Sequence, residues 1–89
     1  MIPMLSVLMP NYNNEPFLRD AIDSVLNQTF KNFIFFIIDD GSTDRSIEII
    51  KSYNDKRIIL IEKEFNSGIV DALNLGLERI NTKYFIRMD

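Results

Sequence analysis

Short apolar runs alternate with amphipathic stretches along these 89 residues. Four runs are apolar at nearly every position, which is typical of strands buried on both faces of a sheet. They cover residues 5–10, 33–38, 57–61 and 84–88. Between them, apolar residues recur every three or four positions, as in helices that bury one side. The pattern predicts the element order β-α-β-α-β-α-β.

Three helices are predicted from these amphipathic stretches. The first covers residues 16–28, with Asn14 or Glu15 as its N-cap and Pro16 in its first turn. The second begins at Ser42, Thr43 or Asp44 and ends near residue 53, and the third begins at Ser67 or Gly68. The predicted buried stripes are Phe17, Leu18, Ala21, Ile22, Val25 and Leu26, then Ile47, Ile49 and Ile50, then Ile69, Leu73, Gly76, Leu77 and Ile80.

Alternating buried strands and helices indicate an α/β fold, a doubly wound, Rossmann-like parallel sheet. Such sheets bind ligands beyond the carboxyl ends of their strands. The residues to examine are therefore those that follow each predicted strand. They are Asn11, Tyr12 and Asn13, then Asp39, Asp40 and Gly41, then Lys63 and Glu64, and finally Asp89.

Composition excludes several kinds of chemistry. The chain has no Cys and no His, so thiolate nucleophiles, imidazole bases and zinc sites built from them are absent. The net charge of −3 gives no basic stripe, and we expect no nucleic acid partner. Residues 1–10 lack the basic start of a signal peptide, and no apolar run approaches the ~20 residues of a membrane span. We expect a cytoplasmic protein, with membrane association of the full-length form left open.

Glycine-rich phosphate loops are also missing. The first predicted strand ends in Pro10 and Asn11 without the G-x-G-x-x-G of a dinucleotide fold, and no P-loop motif occurs. A bound diphosphate would therefore need another source of positive charge. A hard divalent metal ion, which prefers oxygen ligands, is the expected substitute.

The pair Asp39 and Asp40 is the strongest signal for a site, because two adjacent carboxylates directly follow an all-apolar strand. Neighbouring strand residues point to opposite faces, so the two side chains are expected to do different jobs. The alternative is that one caps the next helix and the other faces solvent. Gly41 is expected to need a positive φ or a close approach.

Other polar and aromatic positions have two interpretations. Tyr12 either covers the first helix or stacks on a base at a strand end. Ser42 and Asp44 are interpreted as helix caps. Residues 66–68 could bind an anion through free N–H groups, although helix starts commonly look this way. Lys63 and Arg87 are interpreted as solvated charges.

Five sequence blocks resemble the opening of a family 2 glycosyltransferase. They are SVLMPNYN (6–13), SVLNQTF (24–30), IDDGSTD (38–44), NSG with ALNLGL (66–68 and 72–77) and YFIRMD (84–89). The blocks lie in the order and spacing of that family. The resemblance implies a GT-A fold, a nucleotide-diphosphate-sugar donor and a divalent metal, Mg or Mn.

The resemblance also implies roles for individual residues. Tyr12 matches the aromatic residue that stacks on the donor base, and Asp40 matches the residue that hydrogen-bonds the base edge. Asp39 is similar to the neighbouring acid near the nucleoside, and Pro10 would shape the pocket. Asp89 matches the first carboxylate of the D-x-D motif, on the ribose and metal side. The catalytic base is expected beyond residue 89, so no catalytic residue is predicted here.

The chain is thus predicted to be the N-terminal, donor-nucleotide part of an inverting glycosyltransferase, cut at the start of the D-x-D motif. The full enzyme would transfer a sugar to a saccharide or lipid-linked acceptor, in bacterial surface polysaccharide synthesis, and these 89 residues alone would be inactive. One alternative is a stand-alone nucleotide-binding or assembly module without catalysis. A signalling receiver domain fits less well, because its acidic pair follows the first strand. The edge of the fourth strand predicts a homo-oligomer.

Overall fold

The computed structural model describes residues 3–88, which form four strands and three helices in strict alternation. In chain order the elements are β1 (Leu5–Asn11), α1 (Glu15–Leu26), β2 (Phe33–Asp39), α2 (Ser46–Lys51), β3 (Ile58–Glu62), α3 (Ile69–Arg79) and β4 (Tyr84–Arg87). The predicted element order is confirmed. The second helix is shorter than predicted, and directly after its last residue the Ser52 hydroxyl donates to the Ile49 carbonyl at 2.6 Å.

The four strands form one parallel sheet in the order β3-β2-β1-β4. The chain winds outward from β1 through β2 to β3 and then returns to the other side of β1. The direction of winding therefore reverses at β1, where sheets of this kind bind ligands beyond the carboxyl ends of the strands. The register aligns Asn11 with Asp39, and Asp39 with Glu62, so these polar strand ends share one edge of the sheet. We call it the carboxyl edge.

Helices cover both faces of the sheet, which confirms the doubly wound arrangement. Side chains alternate along β1, so that Val7 and Met9 enter one core and Leu8 enters the other. The first core packs α1 and α2 on the sheet, and it includes Leu18, Ile22, Val25, Phe35, Ile37, Ile49 and Ile50. The second packs α3 on the opposite face, and it includes Leu8, Phe36, Ile38, Ile61 and Ala72.

The third helix packs through small side chains, and the predicted stripe was partly wrong. Ala72 and Gly76 are its buried residues, whereas Ile69 and Leu77 are both more than 40% exposed. A Cβ at Gly76 would lie 2.9 Å from Ile38 Cδ1 and 3.1 Å from Leu8 Cδ2. The helix therefore approaches the sheet too closely for larger side chains on that side, and its bulky residues lie at the margins.

The first helix buries Leu18, Ile22 and Val25 as predicted, but Phe17 is 66% exposed. Phe17 lies in the first turn and lines a small surface cavity with Pro10 and Asn11 of β1. The helix has twelve residues. Across residues 3–88 the structure contains no helix with both the length and the apolar character needed to span a bilayer.

Candidate functional site

Asp39, at the end of β2, is fully buried and hydrogen-bonds the loop that follows it. Its carboxylate accepts hydrogen bonds from Asn11 Nδ2 at 3.0 Å, from the Ser42 backbone N–H at 2.9 Å and from the Ser42 hydroxyl at 2.7 Å. These bonds fasten the β2–α2 loop to the end of β1. The side chain points away from Asp40, so the two carboxylates have separate partners, as the strand alternation predicted.

The loop after β1 is tied to the same β2–α2 loop by Asn13. Its side-chain oxygen accepts the backbone N–H groups of Thr43 at 2.7 Å and Asp44 at 3.2 Å, and its own N–H donates to the Ser42 hydroxyl at 2.9 Å. Asn13 has a φ of 47°, a left-handed conformation that Asn tolerates better than most residues. Tyr12 precedes this anchor, and its side chain is 48% exposed at the carboxyl edge.

Asp44 accepts bonds at the starts of two helices. One carboxylate oxygen accepts the Ser46 N–H at 2.9 Å in α2, and the other accepts the Glu15 N–H at 3.1 Å in α1. Arg45 is the N-cap residue of α2 and makes no side-chain capping bond, but Asp44, one of the predicted caps, accepts the N–H of the first helical residue. Ser42, also predicted as a cap, bonds to Asn13 and Asp39 instead. Asn14 is the N-cap residue of α1, as predicted, but its side chain makes no capping bond. A residue 29 positions away does that work, which a local sequence pattern cannot reveal.

Asp40 is 4% exposed and accepts four hydrogen bonds. Oδ1 accepts Lys63 Nζ at 2.8 Å and the Ser67 N–H at 3.1 Å. Oδ2 accepts the Gly68 N–H at 2.9 Å and Asn66 Nδ2 at 3.2 Å. The N–H groups of residues 67 and 68, considered above as an anion site, therefore bind a carboxylate of the chain itself.

Lys63 balances the charge of Asp40, and the prediction that it is a solvated charge was wrong. Its side chain is only 11% exposed and also contacts Asp71 at 2.6 Å. Burial alone would raise the pKa of Asp40, but the bonds from Lys63, Ser67 and Gly68 outweigh it and hold the pKa below its usual value. The bonds to Asp40 and Asp71 raise the pKa of Lys63. Asp40 is therefore an ionised acceptor at neutral pH.

Gly41 lets the loop after β3 lie directly on the loop after β2. Its φ is +75°, and a Cβ there would lie 2.5 Å from the Asn66 backbone nitrogen and 2.5 Å from the Phe65 carbonyl carbon. Both the positive φ and the close approach that the sequence predicted are confirmed. This contact brings Asn66 to Asp40.

A pocket of about 260 Å³ opens at the carboxyl edge beside β1, and we call it the strand-end pocket. Its lining includes Pro10, Tyr12, Asp40, Asn66, Ile69 and Ala72. The volume is just below the ~300–1,000 Å³ of small-molecule pockets, enough for part of a ligand. Three of the five predicted site residues meet here. Asp39 is not among the lining residues, and Asp89 lies outside the described residues.

Sequence reasoning missed Ile69 and Ala72 as pocket residues, and it considered Asn66 only as part of a possible anion site. They come from the loop and helix that follow β3, and the approach of this segment to Tyr12 depends on packing that no local pattern encodes. Lys63 is different, because it directly follows a strand and lies at the carboxyl edge. Lys63 was among the residues to examine after the predicted strands, but its side chain was predicted to be solvated.

A larger cleft of about 450 Å³ lies between α1 and α2. Arg45 and Glu48 line it, are largely exposed, and pair with each other at 3.2 Å. These two charges form a solvent-exposed ion pair, which offers a ligand little specific binding energy. The strand-end pocket, with a buried carboxylate at its wall, is the better candidate.

Metal binding needs more than these residues supply. Among residues 3–88 there is no group of three or more acidic side chains close enough to hold an ion. Asp89, the predicted metal ligand, is outside that range. The described residues therefore do not form a metal site by themselves.

Comparisons with known proteins agree with the parallel sheet and the polar carboxyl edge. The family model for glycosyl transferase family 2 matches residues 6–89. An uncharacterised glycosyltransferase of Haemophilus influenzae is 43% identical over 99% of this chain and 36% of its own length. TuaG of Bacillus subtilis, a putative teichuronic acid biosynthesis glycosyltransferase, is 37% identical over 98% of this chain and 35% of its own.

A solved structure is similar as well. Staphylococcus aureus TarS, residues 1–349 in complex with UDP, superposes with a TM-score of 0.83 at 28% identity, over 93% of this chain and 26% of that one. The fold is thus part of a GT-A glycosyltransferase domain. The chain belongs to glycosyl transferase family 2. It spans about a third of the two relatives' length and about a quarter of the TarS structure.

Proposed function

We propose that this chain binds the nucleotide of a nucleotide-diphosphate-sugar donor in its strand-end pocket. The observation that carries the proposal is the convergence of a half-exposed Tyr12 ring and a buried, ionised Asp40 carboxylate on one pocket at the carboxyl edge. A flat ring offers a stacking surface for any base. A carboxylate accepts hydrogen bonds from the N–H groups on a base edge.

Binding requires Asp40 to exchange a partner. A carboxylate has about four acceptor positions, and all four are occupied within the chain. Asn66 makes the longest of these bonds, at 3.2 Å, and its residue is exposed. We therefore expect a base N–H to replace Asn66 Nδ2 on Oδ2, while Lys63, Ser67 and Gly68 keep their bonds.

The proposal extends to the full-length protein as an inverting transferase. Donor sugar would pass to a saccharide or lipid-linked acceptor in surface polysaccharide synthesis, which fits the name of the relative TuaG. UDP in the TarS complex supports a nucleotide donor. Because the carboxyl edge has no glycine-rich phosphate loop, we include a divalent ion, Mg or Mn, with Asp89 as its first expected ligand. The catalytic base would lie outside these 89 residues.

A stand-alone nucleotide-binding module without catalysis is the alternative. It predicts the same pocket but no transfer in any context. The relatives at 37–43% identity are glycosyltransferases of about three times this length, which favours the transferase. Release of the nucleoside diphosphate from a donor by the full-length protein, dependent on acceptor, would separate the two.

Calorimetric titration of the full-length protein with uridine and guanosine diphosphates tests the pocket. Asp40→Asn should weaken binding by about 1–3 kcal/mol, because a charge-assisted bond is lost. Tyr12→Ala should cost about 1–3 kcal/mol of stacking, and Tyr12→Phe, which keeps the ring, should bind like the wild type. Asp20→Asn, on the exposed side of α1, is the matched control. Unchanged affinity in both Asp40→Asn and Tyr12→Ala would refute the site.

A further inference from the structure

Lys63 is the only lysine among residues 3–88 whose ammonium pairs with two carboxylates in the structure's ion pairs. Nζ donates to Asp40 Oδ1 at 2.8 Å, to Asp71 Oδ2 at 2.6 Å and to the Ser67 hydroxyl. An ammonium has three N–H donors, so all of them are used. Lys63 is not among the residues that line the strand-end pocket. Any effect it has on a ligand there must pass through Asp40.

We propose that Lys63 is a positioning residue, which holds the Asp40 carboxylate in the orientation that accepts a hydrogen bond from the donor base. The inference rests on the proposed nucleotide site and adds to it a side chain that touches no ligand. Its two independent supports are the three-way coordination of Nζ and the burial of both partners, with the Lys63 side chain 11% and the Asp40 side chain 5% exposed.

The orientation of Asp40 depends on Lys63 because each carboxylate oxygen has two donors. Once a base replaces Asn66 on Oδ2, Oδ1 keeps only Lys63 and the Ser67 N–H. Removing Lys63 leaves one donor on Oδ1 and a buried carboxylate without a counter-charge. Such a group turns more freely, and burial then favours its neutral form, which accepts fewer hydrogen bonds.

The charged groups around Asp40 show why loss of Lys63 should raise the pKa of Asp40. Lys63 faces it from the end of β3, and Asp71 of α3 faces the same ammonium. On the β1 side, the pocket presents the neutral residues Asn11 and Tyr12. Asp39 precedes it in the chain and is held by Asn11 and Ser42. Without Lys63, the remaining charged groups are carboxylates, and each disfavours the ionised form of Asp40.

Lys63→Met tests the proposal, because it removes the charge and keeps most of the side-chain length. Affinities for uridine and guanosine diphosphates are measured in the full-length protein from pH 8 to pH 5.5. The wild type gives the reference profile, because the lowered pKa of Asp40 keeps it ionised while the terminal phosphate of the ligand, with a second pKa of about 6, changes its charge in both proteins. The variant should bind at least about ten-fold more weakly at pH 7.5 and lose several-fold more by pH 5.5.

Two further variants separate positioning from folding. Asp71→Asn keeps the shape of the cluster and removes one partner of Lys63, so it should weaken binding by less than Lys63→Met. Lys51→Met is the matched control, because Lys51 is exposed and pairs with Glu62 at 3.5 Å on the surface. It should leave both the affinity and its pH profile unchanged. Thermal melting of each variant identifies any loss that comes from unfolding.

The titration of Asp40 in the nucleotide-free protein, followed by carboxyl carbon NMR, gives a readout independent of ligand. Lys63→Met should raise the pKa of Asp40, and Lys51→Met should leave it unchanged. A wild type that binds no nucleotide would refute the proposed function. A wild type that binds, together with a Lys63→Met variant of equal affinity and an unaltered Asp40 titration, would overturn the role of Lys63 alone.

Discussion

The carboxyl edge and the β4 surface (Leu77, Tyr84, Phe85 and Ile86) differ in how far their side chains find partners within the chain. At the carboxyl edge nearly every polar side chain has a partner within the chain, and Asp39 and Asp40 together accept seven hydrogen bonds. The four residues of the β4 surface are apolar and between 42% and 55% exposed. The polar groups of the carboxyl edge are therefore hydrogen-bonded within the chain, whereas the β4 surface exposes apolar side chains to solvent.

The difference teaches where the fold is specified by polar contacts and where it is not. The loops at the carboxyl edge have no hydrophobic core of their own, so their geometry depends on directed hydrogen bonds and on one glycine contact. Strand β4 joins only β1 among residues 3–88, through four register pairs, and its outer backbone edge faces away from that sheet. Changes at the carboxyl edge should therefore affect folding strongly, whereas changes at β4 should affect association.

Gly41→Ala should have the largest effect on stability. The substitution adds a Cβ 2.5 Å from backbone atoms of residues 65 and 66, which cannot move aside as a side chain can, at a φ of +75°. We expect a loss of about 3 kcal/mol or more in the free energy of unfolding, measured by urea denaturation.

Gly68→Ala is the matched control for Gly41→Ala. Its φ is +103°, but no atom lies within 4 Å of the added Cβ. The backbone strain alone should cost about 1–2 kcal/mol. Equal losses in the two variants would mean that the contact of the two loops does not matter, and the account of the carboxyl edge would be wrong.

Asp39→Asn should have the next largest effect. The amide replaces one acceptor oxygen with a donor that would face the Ser42 N–H, the Ser42 hydroxyl or the Asn11 amide. A buried donor left against donors should lower the free energy of unfolding by about 2 kcal/mol. Asp20→Asn, which is exposed, should stay within about 0.5 kcal/mol of the wild type. A loss no larger than that of the control would show that the β2–α2 loop is held by other contacts.

The sheet and its winding could be predicted from the sequence because they follow from hydrophobic period. Runs such as residues 33–38 have no polar face and must lie in the middle of a layered sheet. Gly41 could also be predicted, since a glycine after an acidic pair at a strand end suggests a turn that only glycine permits.

The long-range bonds of the site could not be predicted in the same way. The Asn13 side chain accepts the backbone N–H groups of residues 43 and 44, the Asp44 carboxylate accepts the Glu15 N–H, and Lys63 Nζ donates to Asp40. These partners are 23 to 31 positions apart in the chain. A single sequence shows that each residue is polar but not which partner it meets. The exposure of Phe17 could not be predicted either, because helical period places a residue on a face without showing how fully that residue is covered.

The dependence of stability on pH should follow the pair Asp40 and Lys63. The pKa of Asp40 is lowered on folding, so its contribution is complete above the ordinary Asp pKa of ~3.9 and is lost as pH falls through the lowered value. The pKa of Lys63 is raised, so its contribution is complete below ~10.4 and is lost as pH rises beyond it. Unfolding in urea should therefore be nearly independent of pH from about 5 to 9.

Lys63→Met should raise the lower pH limit of the range in which the free energy of unfolding is constant, because Asp40 then begins to bind a proton at higher pH. Lys51→Met should leave it as in the wild type. A variant plateau that matches the wild type down to about pH 4 would show that the backbone N–H groups of residues 67 and 68 suffice to keep Asp40 ionised.

Ile86→Lys should have the smallest effect on folding and a clear effect on assembly. Ile86 is 42% exposed on β4, so the free energy of unfolding should change by about 0.5 kcal/mol or less. Lysine on an edge strand hinders pairing with another chain. The 89-residue chain should form dimers or larger assemblies, and Ile86→Lys should shift them toward the 10.4 kDa monomer in light scattering.

Val70→Lys is the matched control away from β4, because Val70 lies on α3 and is 69% exposed, and it should leave assembly unchanged. A wild-type chain that stays monomeric over a wide concentration range would end the prediction that β4 is an association edge, and the exposed apolar area would then be tolerated without a partner.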